Sequence, residues 1–234
     1  MKTIIAIGGG DLKERQTLKI DEYVAALAKE RAGENRACAL FIPTASHDYM
    51  PYYNTFHKVY TGVFNIKTDV ALTVFKETDY EKLKGKFLKA DVIYVGGGDT
   101  VFMLEHWQNS GMLPLILDAY ERGVIIAGLS AGAICWFERM FTDTSKTLNG
   151  EVYSLYNALG VIKGVATPHY NSRGAAFDNE VVEKNMQKAF AMEDLSAIVI
   201  KNGEIAGSLS SGGTAWALKY EDGKLVKTAI APVI

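Results

Sequence analysis

A chain of 234 residues that is 48% hydrophobic is long enough to bury one large α/β core without a second domain, so residues 1–234 are read as a single domain. Its formal charge of -2 supplies no general attraction to phosphate backbones or anionic lipid, so neither nucleic acid nor a membrane is expected as a partner. The first apolar run stops at Gly8, too short for a signal segment, and no stretch approaches the roughly 18 uninterrupted apolar residues of a membrane span. A cytoplasmic location is the expectation. The two cysteines, Cys38 and Cys135, both lie in apolar stretches and read as packed thiols rather than a disulfide framework.

In chain order, apolar runs at 2–8 and 37–43 flank an amphipathic stretch at 12–31, which predicts a β-α-β unit. Helical pieces at 52–63 and 80–88 lead to strand-like runs at 70–74 and 91–95. Two more helical pieces, 101–107 and 113–122, precede an apolar run from Val124, about the fifth strand. Near-continuous apolar strands alternating with amphipathic helices predict an α/β fold, its central sheet mostly parallel with helices on both faces. From Asp143 to about Gly160 the pattern loosens into an irregular excursion. A helix at 179–192 then leads to short strands at 197–200, 204–209, 214–219 and 225–230. The turn signals between them predict antiparallel hairpins near the C-terminus, closing one edge of the sheet.

The fifth strand runs into Gly128-Leu-Ser-Ala-Gly132 and then helix formers, the strand, sharp turn and helix of a nucleophile elbow. Small residues two before and two after the serine let strand and helix pass closely, and Gly128 and Gly132 hold those places. A nucleophilic Ser130 needs a base. Of the four histidines, His47, His57 and His106 read as structural, whereas His169 ends a strand-like run after Pro168, where reacting groups of an α/β sheet converge. An α/β-hydrolase would place its acid between serine and histidine. The acids there are Glu138, Asp143 and Glu151, with no clear strand and helix to carry one, so that reading weakens while Asp143 stays open as the orienting carboxylate. An oxyanion hole would draw one amide from Ala131 and another from the Gly96-Gly97-Gly98 run. The other run, Gly8-Gly9-Gly10, fails the dinucleotide pattern because Lys13 stands where a third small residue belongs. No Walker lysine motif, His-Glu-x-x-His or Cys-x-x-Cys occurs, so neither cofactor nor metal is expected.

The ordered set Gly-Gly-Gly-Asp-Thr (96–100), Gly-Leu-Ser-Ala-Gly-Ala (128–133), Pro-His-Tyr (168–170) and Met-Glu-Asp (192–194) resembles the aspartyl dipeptidase (peptidase E) and cyanophycinase family of serine peptidases. The resemblance implies a class I glutamine-amidotransferase-like fold, with serine in place of the amidotransferase cysteine. It implies Ser130 as nucleophile, His169 as base and Glu193 as the residue that orients it, with Gly98 and Ala131 as oxyanion-hole amides. It further implies a small peptide as substrate, with Arg173 and Tyr170 as candidate contacts. Arg173 is the one cation in 171–177 that could meet an acidic side chain, and it reads equally well as a surface residue. A small-ester hydrolase and a non-catalytic ligand-binding protein on the same fold are the rival readings. Monomer and homodimer are both compatible with the sequence.

Overall fold

The computed structural model describes residues 1–75, 79–143 and 152–233. Its first sheet has seven strands in the order β11-β10-β1-β5-β4-β2-β3. β1 (Thr3–Ile7), β2 (Cys38–Ile42), β3 (Lys67–Val70), β4 (Val92–Val95) and β5 (Ile125–Leu129) run parallel, and β10 (Ser196–Lys201) and β11 (Glu204–Ser210) add an antiparallel edge beside β1. Side chains alternate between the faces of a strand, and here both faces are buried. Ile5, Ile7, Phe41 and Tyr94 pack with Ile20 and Val24 of α1 (Leu18–Ala32) and Phe56 and Tyr60 of α2 (Met50–Gly62). Ile4, Ala6, Leu40 and Ile93 pack with Phe87 of α3 (Tyr80–Lys89), Trp107 of α4 (Thr100–Asn109) and Ile116 of α5 (Met112–Glu121). Double burial explains the near-continuous apolar strands, and β5 is the fifth strand, as its position in the pattern predicts. The carboxylates of Asp79 and Asp99 accept hydrogen bonds from the Lys82 and Phe102 amides, capping α3 and α4.

The remainder differs from the expectation of one central sheet. A second, six-stranded sheet has the order β13-β12-β9-β8-β6-β7. It is built from β6 (Phe137–Thr142), β7 (Ser154–Asn157), β8 (Ile162–Thr167), β9 (Ala189–Met192), β12 (Ala215–Glu221) and β13 (Lys224–Ala229). The 143–160 excursion thus contains β7, while residues 144–151, Glu151 among them, lie outside the described residues. Of the two hairpins, β10-β11 edges the first sheet as expected, but β12-β13 belongs to the second. The helix expected at 179–192 is instead α7 (Tyr170–Glu183), followed by Asn185 at a φ of 49° and then β9. Ala189–Met192 is drawn into strand form by ladders to β8 on one side and β12 on the other, a pairing that helical periodicity could not show. One face of the second sheet joins the core of the first through Met140, Ala166 and Phe190, and the other is covered by Phe177 and Val181 of α7.

Candidate active site

Parallel strands of both sheets aim their carboxyl ends at one place. In the first sheet β5 lies between β1 and β4, so Leu129–Ser130 emerges with Gly8-Gly9-Gly10 on one side and Gly96-Gly97-Gly98 on the other. In the second, adjacent parallel strands β8 and β9 end at Thr167 and Met192, just before His169 and Asp194.

Ser130 sits between β5 and the short helix α6 (Ala131–Ile134) at φ 54° and ψ -105°, a backbone conformation costly for any residue with a side chain. Its neighbours make the turn sterically feasible, as their spacing predicts. A Cβ on Gly128 would overlap the Gly132 carbonyl group, and one on Gly132 would lie 2.7 Å from the Val95 Cβ and 2.8 Å from its carbonyl carbon. The turn leaves Ala131 as the first amide of α6, which has no intrahelical acceptor.

Ser130 Oγ lies 2.8 Å from His169 Nε2, and His169 Nδ1 lies 2.6 Å from Asp194 Oδ1. With Nδ1–H donated to the carboxylate, Nε2 is the ring nitrogen left to accept the serine proton. Asn171 locks Asp194 from the far side: its Nδ2 donates to Asp194 Oδ2 at 3.1 Å, and its Oδ1 accepts the Asp194 amide at 3.2 Å. The imidazole and carboxylate side chains keep 30% and 36% of their surface exposed, so reactants can reach them from solvent.

The carboxylate that bonds the imidazole is therefore Asp194, whereas Glu193, the acid expected there, is turned away from it. Just past the end of β9 the two side chains point opposite ways, the alternation of extended chain. Glu193 turns toward β12, where Oε1 accepts Trp216 Nε1 at 3.1 Å and Oε2 accepts the Thr214 amide at 2.9 Å. Asp194 turns toward β1 and the imidazole. Asp143, the other candidate, lies 3.3 Å from an Arg173 guanidinium nitrogen and has no contact with His169.

The two substrate candidates are corrected as well. Arg173 is only 6% exposed: its guanidinium donates to the Phe141 carbonyl at 3.2 Å, pairs with Asp143 and sits 5.1 Å from the Tyr153 ring centroid. Burial lowers its pKa, and the Asp143 charge opposes that shift. Tyr170 is 7% exposed, its hydroxyl donating to Asp178 at 2.6 Å and accepting from Lys227 at 3.0 Å. On an amphipathic helix these positions face the second sheet and fasten α7 to it, and sequence spacing alone does not reveal that orientation. Of the remaining histidines, His57 bonds Thr68, His106 bonds Thr73 and His47 packs on Phe102. Cys135 is buried against the Gly132 carbonyl, and burial pushes its thiol pKa up.

What sequence reading missed is the first glycine run. The Ser130 amide donates to the Ile7 carbonyl at 2.9 Å, the His169 amide to Gly8 at 3.2 Å and the Leu195 amide to Gly9 at 2.9 Å. Three successive carbonyls at the end of β1 thus hold the segments bearing serine, histidine and aspartate. A Cβ on Gly9 would overlap Asp194 Oδ1 and come within 2.5 Å of His169 Nδ1. The signal in the sequence is a glycine run directly after an apolar strand, a pattern that marks close approach of other chain segments as well as of a nucleotide.

A groove of about 750 Å³ opens beside these residues, lined by Gly10, Asp11, Lys13, Tyr49, Tyr52, Asn54 and Lys58 among others. Of its lining, Gly10 directly follows Gly9, the residue pressed against His169 and Asp194. Tyr52 joins it to the second glycine turn, where its hydroxyl accepts the Gly97 amide at 3.3 Å. Among the described residues no helix is long and apolar enough to cross a membrane.

Serine, histidine and carboxylate linked by two short hydrogen bonds at the carboxyl ends of parallel strands define a serine-type hydrolase on an α/β frame. Residues 4–207 match the model of Peptidase family S51, and the chain belongs to that family of serine peptidases. It is 34% identical over 223 residues to the uncharacterized peptidase YgaJ of Bacillus subtilis (strain 168), covering 94% of this chain and 92% of that one. To peptidase E of Salmonella arizonae it is 25% identical over 144 residues, covering 56% and 60%. The fold matches the crystal structure of a peptidase from an acI-B1 Actinobacterium with a TM-score of 0.68 at 16% identity, over 98% of this chain and 97% of that one.

Proposed function

We propose that this serine peptidase hydrolyses small peptides, in the manner of a dipeptidase, through an acyl-enzyme formed on Ser130. The observation that carries the reading is the continuous line from Ser130 Oγ through both His169 nitrogens to Asp194, at 2.8 and 2.6 Å. The turn that holds Ser130 then acts as a nucleophile elbow. His169 Nε2 takes the Oγ proton as Oγ bonds to the substrate carbonyl carbon, and the carbonyl π pair moves onto oxygen. Asp194 holds the imidazole in the required tautomer and stabilises the imidazolium. The Gly98 and Ala131 amides receive the oxyanion. Collapse of the tetrahedral centre breaks the C–N bond, and His169 returns its proton to the departing amine. Water then repeats the cycle on the acyl-enzyme.

The small-peptide reading rests on the groove, whose volume suits a compact ligand. Lys13 and Lys58 line it, and neither ammonium has a carboxylate partner among the described residues. They take over from Arg173 as the cations that an acidic substrate side chain would meet. A fluorophosphonate probe tests the reading directly. Labelling is expected at Ser130 and nowhere in the Ser130→Ala or His169→Ala proteins, and a panel of dipeptides should be turned over faster than aryl esters. Absence of labelling in the wild-type chain would leave a ligand-binding protein, and preference for esters would leave an esterase.

A further inference from the structure

The second glycine turn can be accounted for amide by amide. Gly96 N–H donates to the Ile42 carbonyl at 3.0 Å, Gly97 N–H to the Tyr52 hydroxyl at 3.3 Å and Asp99 N–H to the Ala45 carbonyl at 2.8 Å. Gly98 N–H is the one amide of the four without an acceptor among the described residues. A free amide in the middle of an otherwise tethered turn is what an oxyanion donor requires, because its direction is fixed before charge develops. Two of the three tethers are backbone carbonyls. The third is a side chain reaching in from α2, and it holds the amide immediately before the free one.

Tyr52 is itself held firmly. Pro51 precedes it in the first turn of α2, and its ring meets Phe41 edge-on at a centroid distance of 5.0 Å. On Gly96 a Cβ would lie 2.9 Å from Tyr52 Cε1 and 3.2 Å from Phe41 Cζ, so the turn is pressed against both rings. On Gly97 it would lie 3.4 Å from the Ser130 Cβ, so the clamped residue lies against the serine. Burial pushes the Tyr52 phenol up to about 12, so the hydroxyl stays neutral across the working pH range.

We infer that Tyr52 is a positioning residue for the oxyanion hole: its hydroxyl accepts the Gly97 amide and thereby sets the direction of the Gly98 N–H toward the tetrahedral intermediate. The inference deepens the acyl-enzyme reading and rests on it. Because the clamp serves charge that exists only in the transition state, its loss should lower kcat and leave KM nearly alone.

The test is Tyr52→Phe, which removes one oxygen and keeps the ring against Phe41 and Gly96. A kcat reduced about tenfold with KM within about twofold is expected, the size of one lost hydrogen bond expressed in the transition state. A peptide boronic acid, which forms a tetrahedral adduct on serine, should bind the variant weaker by a matching factor. Unchanged kcat and boronate affinity overturn the inference, as does a rise in KM alone, which would make Tyr52 only a wall of the groove. A fall in kcat without loss of boronate affinity also overturns it. The wild-type chain gives an independent reading by amide exchange: Gly97 N–H should be protected and Gly98 N–H fast, and a fast Gly97 overturns the clamp whether or not the variant folds. Failure of fluorophosphonate labelling in wild type would sink the acyl-enzyme reading instead, with the Gly97 exchange result left standing by itself.

Discussion

Gly-Gly-Gly-Asp occurs twice in this chain, at 8–11 after β1 and at 96–99 after β4, and the two copies lie on either side of the serine strand. Their backbones are alike in the third glycine, at φ 134° for Gly10 and 142° for Gly98, a region open to glycine. Their uses are opposite. The first turn, with the end of β1, offers carbonyls that hold the backbones of the three reacting segments, and its missing side chain makes room for His169 and Asp194. The second is held by its own amides and leaves one N–H free beside the serine. One tetrapeptide therefore serves as a floor in one place and leaves an amide without an acceptor in the other, and the difference lies in what the tertiary structure sets over it.

The sharpest test of the first turn is the pair it supports. Asp194→Asn should reduce kcat for peptide hydrolysis about 10⁴-fold by upsetting the imidazole tautomer, whereas Glu193→Gln should leave turnover near wild type. Equal effects of the two substitutions would erase the distinction drawn between the acids. Next in size is the second turn. Gly98→Ala places a Cβ against the Ala45 carbonyl at a φ only glycine adopts freely, and displacing the donor amide should cost about 10²–10³ in kcat. Gly9→Ala comes third. The added Cβ must push His169 or Asp194 aside, and a misplacement of this order costs about a hundredfold in turnover. Circular dichroism should show both alanine proteins folded, and full activity in either would break the corresponding half of the comparison.

The smallest effect on turnover belongs to the foundation of the first turn. Asp21 is fully buried, accepts hydrogen bonds from Thr17 at 2.7 Å and Tyr60 at 3.0 Å, and is raised by burial to about 6. Thr17 in turn packs beneath Gly10, its methyl 2.8 Å from where a Cβ would sit. A carboxyl whose folded pKa lies above its unfolded value binds its proton more tightly when folded. Its favourable contribution is thus complete below pH 4 and lost as pH rises through about 6. Asp21→Asn should therefore gain stability relative to wild type by about 2 kcal/mol between pH 4 and pH 7, with turnover unchanged. Urea unfolding of both proteins at the two pH values measures it, and a gain that shrinks with rising pH contradicts the assignment.

The sequence by itself determined the strand-turn-helix at 124–136, because only glycine two places either side of a serine lets strand and helix pass so closely. It also determined the parallel half of the fold, because strands buried on both faces must be apolar throughout. His169 was legible for a local reason, its place at a strand end after Pro168. Only the tertiary structure brought Asp194 to His169 in place of the expected Glu193 or Asp143; Glu193 and Asp194 are adjacent acids whose difference is the direction in which an extended chain sends alternate side chains. The same holds for Arg173 and Tyr170, turned by α7 into the second sheet, and for that sheet itself, whose short strands form through partners distant in sequence. Above all it decided the glycine turns: a missing side chain records that something must come close, and only the fold shows what does.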